Sequence, residues 1–290
     1  MKQFFEKQIE ALESKLEERP RDPVLHKELG NLFYRTDALF LALEEYRTAL
    51  HIQPDYFEAQ YNLGNVYFKL KKPWKAIIAW TEALILNPRL ESARFNIGFA
   101  YFNLGEYDDA LLEFRRASDM GPECTDTHFY QGMCHFELGQ YRRARECYLN
   151  ALDKDEDNEE ILYNLGNALY EDGCYEEALD FYTRALKKDE DFQCRNNRAD
   201  CLKHLDRLDE ALAEIQAVLK EKKGFTPARC TLAEIYMRQG KPDEAISEFN
   251  RVIELTKQVR QGLDQNALHK YASDMVYALQ NQAGPIGERQ

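Results

Sequence analysis

Tyr61 to Pro88 reads YNLGNVYFKLKKPWKAIIAWTEALILNP, and this stretch decides the fold. Apolar residues recur at helical spacing on both sides of the Lys-Lys-Pro break, so two helices joined by a tight turn are expected. Gly64 stands in the first, Ala76 and Ala83 in the second, with Trp80 between the alanines. Two antiparallel helices approach closely only where small residues meet, and a large residue beside the crossing fills the remaining volume. Pro73 falls where the second helix starts, where a missing N–H costs little, and Pro88 follows its end.

The same arrangement recurs along the chain. Ala42, Ala76, Ala110, Ala144, Ala178, Ala211 and Ala245 are spaced 34, 34, 34, 34, 33 and 34 apart. Twelve residues before each lies Gly30, Gly64, Gly98, Gly132, Gly166, Ala199 or Ala233, and four after each lies Tyr46, Trp80, Phe114, Tyr148, Tyr182, Ile215 or Phe249. A fixed period of this length is the mark of a stacked-repeat array. Pro54 and Pro122 are expected to close second helices as Pro88 does, and Pro242 to open one as Pro73 does.

Tyr61-Asn-Leu-Gly-Asn-Val-Tyr followed by Ala76, Trp80, Ala83 and Pro88 resembles a tetratricopeptide repeat (TPR). So does Tyr163-Asn-Leu-Gly-Asn-Ala-Leu followed by Ala178, Tyr182 and Ala185. The resemblance implies an all-α, right-handed α-solenoid of about seven antiparallel helix-pair units with capping helices. The expected units are 23–56, 57–90, 91–124, 125–158, 159–191, 192–225 and 226–256. The sixth departs, with Arg198-Ala199 in place of Leu-Gly and one residue fewer, so it is expected to be intact but packed differently. Residues 1–22 read as an N-terminal capping helix with a Phe5, Ile9, Leu12, Leu16 stripe, closed by Pro20 and Pro23. Residues 257–282 read as a C-terminal capping helix with Leu268, Tyr271, Ala272, Met275, Val276 and Leu279 on one side, stopped by Gly284-Pro285. Residues 283–290 read as a polar tail. Folding of the last helix into the groove is the alternative arrangement.

The bulk composition narrows the function. Of 290 residues, 44% are hydrophobic, enough for a sizeable core, and the formal net charge of −13 disfavours nucleic acid and anionic membranes as partners. Lys69, Lys71, Lys72 and Lys75 crowd together against that balance and read as a solvated turn. Charges interrupt the N-terminus and no run suits a membrane span. Seven cysteines without a framework suggest reduced thiols and a cytoplasmic setting. No phosphate loop, metal-binding spacing or nucleophile motif is present, so no catalytic residue, metal or cofactor is expected, and His128 and His135 read as structural. The acidic run from Asp153 to Glu160 reads as a solvated turn with helix-start charge.

The resemblance implies that one face of each first helix lines a concave groove holding a partner protein or extended peptide. The groove residues so placed are Lys27 and Asn31; Tyr61, Asn62 and Asn65; Phe95, Asn96 and Phe99; Phe129, Tyr130 and Met133; Tyr163, Asn164 and Asn167; and Asn197, with Lys203 beside it. An asparagine is a mediocre helix former whose amide both donates and accepts. A row of them can pair with a peptide backbone without demanding a sequence, as in some members of the family; inter-helix bonding is the alternative. The apolar centre around Phe99 and Met133 suits an inserted side chain. The two-carboxylate clamp of chaperone-binding members is matched only at Lys27, Asn31 and Asn62. Ser92 and Asn96 stand where it needs two bases, so the clamp is not expected. The expected function is an interaction adaptor, and self-association through the terminal helices is the alternative. Oligomeric state is not fixed by the sequence.

Overall fold

A computed structural model of the chain describes residues 2–120, 125–187, 191–258 and 263–282. Pro122, Gly284, Pro285 and the 283–290 tail lie outside them. The helices are α1 (Lys2–Glu18), α2 (Pro23–Arg35), α3 (Leu39–Ile52), α4 (Phe57–Lys69), α5 (Pro73–Leu86), α6 (Glu91–Leu104), α7 (Tyr107–Ser118), α8 (Thr125–Glu137), α9 (Tyr141–Leu152), α10 (Glu159–Glu171), α11 (Tyr175–Ala185), α12 (Phe192–His204), α13 (Leu208–Glu221), α14 (Thr226–Arg238), α15 (Pro242–Gln258) and α16 (Leu263–Gln282). The fold is all-α, with helices in consecutive packed pairs, and it divides into two compact units, Met1–Ala151 and Leu152–Gln290.

The 34-residue register has a steric cause. A Cβ on Gly64 would lie 2.4 Å from the Trp80 ring, closer than any real contact, so only hydrogen fits where α4 crosses α5. At Gly98 the Phe114 ring would be met at 2.9 Å, and at Gly166 the Tyr182 ring at 2.7 Å. The sixth pair keeps its crossing by shrinking the other partner: Ala199 faces the smaller Ile215, and both are wholly buried.

The turn inside each pair has a second recurring position, Asp37, Lys71, Gly105, Gly139, Gly173, Asp206 and Gly240, always at positive φ. A side chain there strains against the backbone, which makes Lys71, at φ +58°, the least expected occupant. Pro73 and Pro242 open α5 and α15 as expected. Pro23 does not close α1 as expected. It opens α2, because Asp22 caps that helix by accepting from the N–H groups of Val24 and Leu25 at 3.0 and 3.3 Å.

Within the first unit α2 approaches α4, and α6 approaches α8. Within the second, α10 approaches α12, α12 approaches α14, and α14 approaches α16. Successive first helices thus lie close to one another and form the inner side of each unit. α1 packs on α2. α16 lays Leu268, Ala272, Met275, Val276 and Leu279 on the core of α14 and α15. Among the described residues no helix is long and apolar enough to cross a membrane.

Candidate functional site

The inner asparagines are held in place by the core behind them. Tyr46 on α3 donates its hydroxyl to Asn31 Oδ1 at 2.7 Å, and Asn62 Nδ2 of the next first helix donates to the same oxygen at 2.9 Å. One repeat on, Trp80 Nε1 and Asn96 Nδ2 donate to Asn65 Oδ1 at 3.0 and 3.3 Å, and Asn96 also reaches the Tyr61 hydroxyl at 3.0 Å. In the second compact unit Tyr182 and Asn197 donate to Asn167 Oδ1 at 2.7 and 3.1 Å, with Tyr163 3.3 Å from Asn197. The indole N–H can only donate, so the Asn65 amide must turn its oxygen inward. Burial raises the Tyr46 and Tyr182 phenols well above their ordinary pKa, so both hydroxyls stay protonated and able to donate.

This pairing sets what each amide has left. No hydrogen bond within the described residues uses Nδ2 of Asn31 or Asn65, or Oδ1 of Asn62 or Asn96. All four side chains are half-buried. Asn31, Asn62 and Asn65, with Tyr34, Arg35 and Tyr46, line a pocket of about 250 Å³. Asn197 differs, since its oxygen accepts from Gln193 at 2.9 Å, and Asn164 bonds back to the Glu160 carbonyl at 2.8 Å. Tyr163 lines a second pocket, about 370 Å³, with Glu159, Glu160 and Gln193. Lys27 Nζ lies 5.9 Å from the centre of the Tyr56 ring.

The apolar centre is a different material. Phe99 lies 5.1 Å from Tyr130 and 5.6 Å from Phe68, centroid to centroid, and it stacks parallel to Phe95 at 6.5 Å. Tyr130 in turn packs on Phe114 and Phe102. Phe95, Phe99, Tyr130 and Met133 remain half-buried. Phe129 departs from the expected groove position: it is buried against Tyr130 and Tyr148 and has no ring face left to offer.

Lys203, placed in the groove by sequence, is also buried. Its ammonium pairs with Asp200 on its own helix and Glu234 on α14, while Tyr271 of α16 donates to Glu234 at 2.6 Å. Burial opposes the lysine charge, and the two carboxylates outweigh that and raise its pKa. Asp200 and Glu234 occupy the register position of Asn31 and Asn65, so the accepting role continues there with carboxylates. The signal was in the sequence: residues 200, 203 and 234 stand one turn and one repeat apart, with opposite charge. Cys134, Cys194, Cys201 and Cys230 are core residues whose thiols burial pushes up to about 12. His135 is buried, with its pKa lowered by that burial, and bonds Gln140 at 2.9 Å.

Sequence-family comparison matches tetratricopeptide repeat profiles at residues 57–90, 95–141, 135–191 and 202–262, and a TPR repeat profile at 30–71. Similar solved structures include a tetratricopeptide repeat protein from Parabacteroides merdae ATCC 43184, 19% identical, with a TM-score of 0.63 over 87% of this chain and 98% of that one. The Cut9–Hcn1 hetero-tetramer of the APC/C is 16% identical, with a TM-score of 0.57 over 92% of this chain and 52% of that one. MamA is 21% identical, with a TM-score of 0.55 over 58% of this chain and 92% of that one. At these identities the likeness is one of fold. No curated protein matches the sequence.

Proposed function

The chain belongs to the tetratricopeptide repeat family, whose general role is protein interaction, and on that premise we propose that it is an adaptor that holds an extended partner segment along the first helices of residues 23–104. The observation that carries this reading is the residual capacity of the asparagines. Asn31 and Asn65 have N–H groups to spare, and Asn62 and Asn96 have carbonyl oxygens to spare. An extended backbone presents both kinds of group, so alternating donors and acceptors suit it whatever its side chains. The cost of immobilising the amides is already met inside the protein by Tyr46 and Trp80, which favours binding. The neighbouring half-buried aromatics around Phe99 would take one apolar anchor of the same segment.

The test exploits the pairing. Asn31→Asp with Asn65→Asp keeps an accepting oxygen for Tyr46, Trp80, Asn62 and Asn96, and replaces the spare N–H groups with a second oxygen. Peptides selected from a displayed library of unstructured 15-residue segments on the wild-type chain would be titrated against both proteins. The variant is expected to fold as before and lose at least about tenfold in affinity, since each hydrogen bond of this kind contributes about 1 kcal/mol. Undiminished affinity in a folded variant would move the partner elsewhere.

A further inference from the structure

The outer surface of the first compact unit carries a feature that the inner face does not explain. Trp74, Ile78 and Ile85 are 54%, 59% and 75% exposed. At i, i+4 and i+11 they fall within about 40° of one another around α5, so they form a single stripe along the solvent side. At the position of Trp74 the preceding second helix carries Phe40, itself 71% exposed, and at the position of Ile78 the following one carries the exposed Leu112. Beyond that the register positions turn charged: Asp108, Arg142 and Glu176 follow Phe40 and Trp74. Trp74 is steadied from behind by an edge-on contact with Tyr101 at 6.0 Å. A contiguous apolar patch on one stretch of an otherwise charged outer face marks a contact site.

Its electrostatic border is equally local. Between residues 69 and 81 there are four lysines and no carboxylate, in a chain of net charge −13. Lys69 is paired with Asp37 at 2.7 Å. Lys71, Lys72 and Lys75 make no ion pair among the described residues, and Lys75 lies 5.9 Å from the Tyr67 ring centre. Lys71 also keeps its charge at a positive-φ position where four other turns have glycine and two have aspartate.

We propose that this face of α5, extended by Phe40 and Leu112, is a second docking surface, and that its occupant is an acidic amphipathic helix of a partner protein. The apolar stripe of such a helix would cover Trp74, Ile78 and Ile85, and its carboxylates would meet Lys71, Lys72 and Lys75. Pairing with a second copy through α5 fits less well. The one carboxylate on α5, Glu82, is already bonded to Gln60, so both sets of lysines would stay unmatched. An anionic lipid surface would be repelled by the net charge of the rest of the chain.

The molecule contains its own reporter. Of the two tryptophans, Trp80 is 2% exposed and gives a constant background, whereas Trp74 faces solvent. Two synthetic 18-residue helices with one leucine and phenylalanine stripe, flanked by glutamates in one and lysines in the other, would be titrated into the full chain. The glutamate helix is expected to shift Trp74 emission to the blue, to protect it from acrylamide and to bind at least about tenfold more tightly than the lysine helix, with the preference falling as salt rises. Ile78→Ser with Ile85→Ser, which alters only exposed side chains, should abolish the shift with the helical circular dichroism unchanged. Asn31→Asp with Asn65→Asp should leave it intact, which separates this surface from the inner one. Equal binding of the two helices overturns the proposal, as does an unaffected serine variant. Shielding of Trp74 by raising the concentration of the chain alone would assign the face to a second copy, and shielding by phosphatidylserine vesicles but not by the helices would assign it to lipid.

Discussion

Two neighbouring repeats treat the same three positions in opposite ways. Where the second helix carries Trp80, the first carries Asn65 and the next first helix Asn96, and the three are joined by hydrogen bonds. Where the second helix carries Phe114, those positions hold Phe99 and Tyr130, and the three rings pack together. At these two steps the residue behind the inner face changes together with the residues on it. The Trp80 indole N–H holds Asn65 in place, whereas Phe114, with no polar hydrogen, packs against the Tyr130 ring. The first arrangement leaves amide groups on the inner face, and the second leaves apolar surface there.

The sharpest way to break this comparison is at the crossing glycines. Helix propensity alone would have Gly→Ala stabilise by about 1 kcal/mol. We expect the reverse at Gly64, where the indole is met at 2.4 Å: a net loss of about 2–3 kcal/mol by overpacking. At Gly98 the gap is 2.9 Å and the ring smaller, so the loss should be about 1 kcal/mol or less. Urea midpoints at unchanged slope would measure both, and equal losses would mean that the two crossings are not set by their aromatics.

A smaller effect separates the polar steps from the aromatic one by pH. Tyr46 and Tyr182 have folded pKa values raised by burial, so the unfolded chain loses their protons first. The stability they confer is complete below about pH 10, the ordinary tyrosine value, and is lost as pH rises above it. Tyr46→Phe with Tyr182→Phe should cost about 1 kcal/mol per hydroxyl at neutral pH and flatten the alkaline decline, read as thermal midpoints from pH 8 to 11. A decline as steep as in the wild type would show that other groups govern it.

The smallest effect lies in the turns beside the two steps, Lys71 in one and Gly105 in the other. Lys71→Gly should stabilise by about 0.5–1 kcal/mol by relieving the positive-φ strain, with no change in the denaturant slope. Loss of stability would mean that Lys71 has a partner within the fold.

The repeat register was legible because crossings tolerate only hydrogen or methyl, which leaves a mark every 34 residues. The compensation of Ala199 by Ile215 was legible for the same reason. The inner face was harder. That its asparagines bond to the core depends on pairs 15 and 31 residues apart, Asn31 with Tyr46 and with Asn62, which only comparison between repeats brings together. Helical periodicity around Phe129 gives one apolar face and does not say which neighbour covers it. Lys203 looked like a surface residue because its two counter-ions come from different turns and helices. Pro23 was misplaced because proline marks both the end of one helix and the start of the next, and Asp22 decides which.

The spacing of the asparagine pairs also bears on how a bound segment would move. Packed helices lie about 8–10 Å apart, and an extended chain advances about 3.3 Å per residue, so one repeat matches roughly three residues. A segment in the polyproline II form, which repeats every three residues, would meet equivalent amides again when displaced by three. Longer partners would therefore gain alternative registers rather than new contacts. Their affinity would climb only in proportion to the number of registers, and the binding free energy with its logarithm, as for a bead that can stop at any of several equivalent notches, until an apolar side chain lodges beside Phe99 and fixes the position.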